Sequence, residues 1–227
     1  MLAKSRSRIP EIDALRGLAI ILMVLFHLVV DLTDFFGYSF QYRSGFWYYE
    51  GKAAAIAFMI VAGISATLGS SPVRHGLKLI AWGLALTGVT WLFMPAVYIR
   101  FGILHFLGAC LLTWPLAGKA KPGTLLFLAV ISFILGHYAA DMTVATYWLL
   151  PLGLMPAGFS SMDYYPLLPW YGVFLIGGAG GKILYSDRQS LFPALRLPQW
   201  VLWPGSHSLA IYLVHQPILL ALLFLLH

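Results

Sequence analysis

An arginine, a histidine and two aspartates interrupt the otherwise apolar stretch DALRGLAIILMVLFHLVVDL, residues 13 to 32. At 100° per residue, the steps from Arg16 to His27 come to about 20° beyond three full turns, which puts both side chains on one helical stripe roughly 16 Å apart. Asp31 follows one turn after His27 on nearly the same face, where side chains four apart meet. Asp13 precedes the apolar run and is placed to cap the helix N-terminus. An imidazole held by a carboxylate is a general base, because the carboxylate fixes the tautomer and stabilises the imidazolium that forms. A cation at the other end of the same groove would hold an anionic cytosolic compound. The competing reading is structural, a His–Asp hydrogen bond locking two helices while Arg16 reaches to phospholipid. Ionisable groups in a lipid-spanning helix cost about 2.5–3.5 kcal/mol each on insertion scales. Three on one stripe multiply that cost and favour chemistry.

Two further polar islands could join the first. RFGILHFLGA, residues 100–109, brings Arg100 and His105 into the first turns of another apolar run, as candidate contacts to a substrate. A buried core histidine and an interfacial arginine are the plain alternatives. GSHSLAIYLVHQPILL, residues 205–220, carries Tyr212, His215 and Gln216 just before Pro217, which removes a backbone N–H and loosens the helix. His215 and Gln216 are read as lining a cavity. GGAGGK at 177–182 fails the phosphate-loop spacing and has Ile183 after its lysine. Its small residues suit close helix approach instead. A single cysteine, Cys110, excludes an intramolecular disulfide and a cysteine-rich metal site, and no metal is expected.

The elements that must position these groups are set by hydropathy. The 227 residues are 60% hydrophobic and 10% charged, with mean hydropathy +0.84. A soluble domain carries about 25% charged residues, so the solvent here is lipid. A window of about nineteen residues gives seven spans, roughly 14–34, 51–70, 77–95, 101–118, 123–140, 165–185 and 205–226. The segment 141–163 is too short and too proline-broken to span, and reads as interfacial or re-entrant. The first stretch lacks a small-residue cleavage site and reads as a retained helix. The expected fold is an all-α, multi-pass transmembrane helix bundle forming a single domain over residues 1–227, without internal repeat, in the plasma membrane.

Charge sets the orientation. With the N-terminus in the cytoplasm, Lys4, Arg6, Arg8, Arg74, Lys78, Lys119, Lys121, Lys182, Arg188 and Arg196 fall inside, and Arg43, Lys52 and Arg100 outside. That asymmetry obeys the positive-inside rule. It also explains the pI near 9.5 without nucleic acid as a partner. Arg16, with Arg74 and Lys78 on an inner loop, would then meet an anionic cytosolic compound.

The stretches RIPEIDALRGLAIILMVLFHLVVDL, GKAAAIAFMIVAGIS, RFGILHFLGACLL and SLAIYLVHQPIL occur in that order. Together they resemble the heparan-α-glucosaminide N-acetyltransferase catalytic-domain-like family of the transmembrane acyltransferase superfamily. The resemblance runs from residue 8 to about 220 and is specific at the first and last helices. Arg16 and His27 fit the Arg-x10-His spacing that the polysaccharide O-acyltransferases of the superfamily use with acyl-CoA. The resemblance implies an acyl group, typically acetyl, passed from cytosolic acyl-CoA to a hydroxyl or amine of an outer acceptor, such as a sugar. The lysosomal sugar N-acetyltransferase carries its catalytic histidine in the loop after the first helix. No histidine lies between His27 and His75, so only the His27 role transfers. Fewer spans than those relatives have also suggests a reduced core or a homo-oligomer.

The leading expectation is thus an acyl-CoA-dependent acyltransferase with His27, oriented by Asp31, as base or acyl carrier. Arg100, His105, His215 and Gln216 would surround the thioester or the acceptor. Two other classes use the same buried groups. Haem could sit between paired histidines drawn from His27, His105, His137 and His215. A proton-coupled carrier could use His27 and Asp31 as a relay.

Overall fold

The computed structural model describes residues 9–226. The cations Lys4, Arg6 and Arg8, which enter the orientation argument, lie outside the described residues. The protein is 72% helical with no strands among the described residues. In chain order the helices are α1 (Pro10–Phe36), α2 (Gly45–Leu68), α3 (Pro72–Phe93), α4 (Ile103–Ala117), α5 (Pro122–Ala140), α6 (Leu167–Leu184), α7 (Gln199–Ser206) and α8 (Ser208–Leu226). Six of them, α1, α2, α3, α5, α6 and α8, are long and apolar enough to cross a membrane. The fold is all-α and multi-pass.

The fourth expected span, 101–118, is shorter than its hydropathy suggests. α4 has 15 residues, about 22 Å of helix against a hydrocarbon core of about 30 Å. Its start is delayed because the non-helical residues 97–102 are pinned by bonds to a later loop. Phe101 bridges Tyr164, the Val97 carbonyl accepts from Met162 N, and the Phe101 carbonyl accepts from Tyr165 N. The Asp163 carboxylate then caps the helix from a distance, accepting from Ile103 N at 2.9 Å. It lies so close to Gly102 that a Cβ there would collide with it. Segment 141–163 holds only a 3-10 turn, Tyr147–Leu152, in keeping with its proline and its shortness.

The chain forms two compact units, one through Val61 and again from Asp187, the other Ala62–Ser186. In the first, α1 packs along α7 and α8. The short helix α7 falls within a stretch that hydropathy reads partly as a loop, since eight residues show no usable period. It ends at Ser206 with His207 as its cap, so α8 begins at Ser208 rather than at residue 205. The α1–α7 contact is backbone on backbone. A Cβ on Gly205 would collide with the Asp13 carbonyl, and one on Gly17 would come within 3.2 Å of Gly205 N. Nearby, the buried Glu11 carboxylate accepts from Ser190 Oγ at 2.8 Å and from Leu191 N at 2.7 Å, which ties the helix start to the chain's last third.

Asp13 does not cap α1 as its position before the apolar run suggests. The helix begins at Pro10 with Ile9 at the cap and no side-chain cap bond, because proline is pre-organised for the first helical position. Asp13 is therefore inside the helix, where it accepts from Arg16 Nη1 at 2.8 Å.

In the second unit α3 packs along α4 and α5 along α6. Glycines set these approaches. Gly76 and Gly108 face each other's backbones. The GGAGGK run presents Gly178 to the Trp114 ring and Gly181 to Thr67. This is the close-packing role expected of it.

Two outcomes follow from this packing. Gly205→Ala should lower stability by about 1–3 kcal/mol or more through overpacking at the α1–α7 contact, measurable as a lower melting temperature in detergent. Tyr164 donates to the Leu150 carbonyl at 2.7 Å, and burial pushes its phenol from 10.0 up to about 12. The folded state thus favours the protonated phenol, and that stabilisation is lost as pH rises from about 10 through about 12. Tyr164→Phe should remove this alkaline component from a pH–stability profile.

Candidate functional site

α1 and α8 bring four of the sequence-predicted residues together. Asp31, 1% exposed, accepts a hydrogen bond from Gln216 Nε2 at 2.7 Å. The His27 and His215 rings meet edge to face with centroids 4.8 Å apart. Both residue pairs are four positions or one position apart along their helices, so two helices suffice to assemble the group.

The tautomers follow from the backbone. His27 Nδ1 lies 2.8 Å from the Met23 carbonyl, and His215 Nδ1 lies 2.7 Å from the Tyr212 carbonyl. A carbonyl oxygen can only accept, so each neutral ring carries its proton on Nδ1 and presents a lone pair at Nε2. His215 Nε2 is buried without a partner, as are Asp31 Oδ2 and Gln216 Oε1. Buried polar atoms without partners are rare, and three lie in this one group. Together they form a buried polar group in which three lone-pair atoms lack a partner.

Two expected features of the first helix are revised. The carboxylate of Asp31 bonds Gln216 rather than His27, and the Met23 carbonyl one turn back sets the His27 tautomer. A helix carbonyl is always present four residues earlier, so it competes with the aspartate for the same nitrogen. The stripe between Arg16 and His27 is also filled. Ile20 and Met23 occupy it and form a buried cluster with Ala54, against which Phe58, Ile211 and Tyr212 pack. Arg16 itself pairs with Asp13 and donates to the Gly205 carbonyl at 3.4 Å. Within this unit the cation and the imidazole are thus separated by an apolar layer, not joined by an open channel.

The remaining predicted residues belong to the second unit. Arg100 precedes α4 rather than opening it. Its guanidinium lies over Tyr98, Tyr147 and Phe159, with 4.6, 4.7 and 5.4 Å to the ring centroids, an arrangement favoured by the rings' negative faces. His105 is buried in the first turn of α4. It stacks on Phe101 at 5.7 Å and sits against Gly83 of α3, with Thr87 Oγ1 3.5 Å from its Nε2. These are the surroundings of a packed core histidine. Arg74 and Lys78 are exposed on the first turns of α3. Arg74 lines an open groove of about 560 Å³ with Ser70, Ser71, Leu77 and Pro115. No three His, Cys, Asp or Glu side chains among the described residues are close enough to share a metal ion. The edge-to-face contact of His27 with His215 leaves no room for an iron between the rings.

Glu50 was not singled out by sequence. Both of its carboxylate oxygens are buried and lack a hydrogen-bond partner. It opens the second apolar run among aromatics, in FWYYEGK, where an acidic residue reads as an ordinary interfacial charge. The usable signal was periodicity, since Glu50, Ala54 and Phe58 fall on one stripe.

No curated protein and no solved structure matches the chain. One protein-family model, described as "Heparan-alpha-glucosaminide N-acetyltransferase, catalytic", matches residues 8–217, a span that takes in α1, the polar group and the first half of α8. With a match of that extent, the chain belongs to the heparan-alpha-glucosaminide N-acetyltransferase catalytic family of transmembrane acetyltransferases.

Proposed function

We propose that the protein moves an acetyl group from acetyl-CoA to a hydroxyl or amine of a sugar-like acceptor, with His27 Nε2 as the base. The observation that carries this reading is the bond from His27 Nδ1–H to the Met23 carbonyl, which leaves Nε2 as a lone pair in a membrane-embedded polar layer. In the step proposed, Nε2 removes the proton of the acceptor as its oxygen or nitrogen attacks the thioester carbonyl. The C–S bond breaks, and the departing thiolate takes its proton from the His27 imidazolium. Transfer through an acyl-histidine would use the same lone pair.

Asp31 is assigned an indirect role. Its charge stabilises the imidazolium electrostatically, while its bond to Gln216 holds α8, and so His215, against α1. Arg74 and Lys78 are proposed to meet the phosphates of the donor beside the α3 groove. Arg100, His105 and Arg16 are held by rings, core packing and an ion pair. On this reading they support the local structure. The thioester arm must part the Ile20–Met23–Ala54 layer to reach His27 from the Arg16 end. An apolar layer suits that task, because it excludes water from the reactive thioester until the arm enters.

The test is purified protein in vesicles with labelled acetyl-CoA and a pool of sugars and sugar amines. Wild type should label an acceptor, and His27→Ala should lower turnover by about 10²–10⁴-fold at unchanged helicity. Turnover undiminished in His27→Ala would remove the assignment. Arg74→Ala with Lys78→Ala should raise KM for acetyl-CoA several-fold with kcat little changed, the pattern of lost ground-state binding. A fall in kcat at constant KM would count against phosphate docking there.

A further inference from the structure

Arg100 sits in the non-helical stretch ahead of α4, and the second unit builds a cage of rings around it. Its guanidinium carbon lies 4.6 Å from the Tyr98 ring centroid, 4.7 Å from that of Tyr147 and 5.4 Å from that of Phe159. Three chain segments supply these rings, and hydrogen bonds tie the segments together. Ser161 Oγ donates to the Tyr98 carbonyl at 3.0 Å, and Met162 N donates to the Val97 carbonyl at 2.8 Å. Tyr164 Oη donates to the Leu150 carbonyl at 2.7 Å, which joins the turn carrying Tyr147 to the segment carrying Phe159. The Phe159 and Tyr164 rings meet edge to face at 4.9 Å. The guanidinium is thus held in place before any ligand arrives, so little ordering cost remains on binding.

Rings attract a guanidinium through its flat faces and leave its in-plane N–H donors unused. No carboxylate or carbonyl among the described residues takes up those donors. Nε is buried without a partner, and the two Nη groups, which are not fully buried, meet no acceptor either. Asp163, the acid of the segment bonded to this stretch, has its Oδ2 on Ile103 N at 2.9 Å. The surroundings identify what completes the cation. Trp148, next to the caging Tyr147, is 90% exposed, and Tyr147, Met142 and Met162 are each more than half exposed. In a protein that crosses the membrane, indole and phenol rings exposed in this way belong at the headgroup level. Phosphate oxygens are the acceptors at hand there, and the guanidinium fork matches them two at a time.

We propose that Arg100 and its ring cage form a binding site for the phosphodiester of an anionic membrane phospholipid. The phosphate oxygens accept from the Nη groups in the guanidinium plane, and Trp148 enters the layer between headgroup and acyl chain. A lipid without a cation of its own is selected. A choline or ethanolamine ammonium would face the guanidinium, and the rings that could hold it are already occupied. Arg100 is the only charged residue in 94–102, the stretch whose bonds delay the start of α4. The lipid neutralises that charge and so stabilises the second unit, whether or not the protein transfers acetyl groups.

The experiment titrates the protein in neutral detergent with phosphatidylglycerol, phosphatidylcholine or inorganic phosphate. Native mass spectrometry counts bound lipids, and the melting temperature is followed alongside. Wild type should bind one phosphatidylglycerol about tenfold more tightly than phosphatidylcholine, and should melt higher with it. Arg100→Gln should bind that lipid about tenfold more weakly and lose the lipid-dependent rise. Arg100→Lys, which keeps the charge without the fork, should fall between the two. Where Arg100→Gln does not fold, Arg100→Lys and Tyr147→Leu decide, and each should weaken phosphatidylglycerol binding several-fold. A purely structural Arg100 would lower the melting temperature of the variants yet leave the lipid-dependent rise intact, which overturns the proposal. Equal affinity for the two lipids overturns it too. So does a rise reproduced by inorganic phosphate at the same concentration, which would make this a site for a free anion.

Discussion

The hydrogen bond from Gln216 to Asp31 joins the first and last long helices across 185 positions of sequence. An aspartate 1% exposed in an apolar helix cannot be satisfied by its own helix, whose backbone donors are already used, nor by lipid. It needs a donor from another helix, and α8 supplies one. Fixing that bond sets the height of α8 against α1, and with it the meeting of His27 and His215. The α1–α7 contact at Gly17 and Gly205 acts in the same sense, since backbones that touch can neither slide nor rotate freely.

With that register fixed, α1, α2 and α8 stack two unlike layers one turn apart. The lower one, around Ile20, Met23 and Ala54, is closed and apolar. The upper one is polar and incompletely bonded. Such a pairing sacrifices stability in the upper layer, because each buried lone pair without a donor is a loss relative to water. Proteins carry losses of this kind where a ligand recovers them.

The second unit solves a different problem, that of a short helix. Because α4 is cut to 15 residues by the non-helical segment before it, its first turn needs a cap from elsewhere, and Asp163 provides it. The arginine in that segment finds no place in a helix and lies among aromatic rings. Glycines then let α5, α6 and the end of α2 approach closely enough to replace lost side-chain contacts.

Hydropathy and charge alone determined that the chain is helical and crosses the membrane many times, since lipid permits few other ways to bond a backbone. Periodicity placed Arg16, His27 and Asp31 on one face, and resemblance at both ends of the chain identified the family. Helix bounds, the short α7 and the truncated α4 were hidden, because they depend on contacts with residues far along the chain. So were the partners. Sequence paired His27 with Asp31 by spacing, but a nearer carbonyl took the imidazole proton and a distant amide took the carboxylate. Glu50 reads as an interfacial charge, and only the packed structure shows both of its carboxylate oxygens buried. Spacing along one helix fixes direction only. What a side chain meets in that direction is decided by whichever helix packs there, and only the tertiary structure says which.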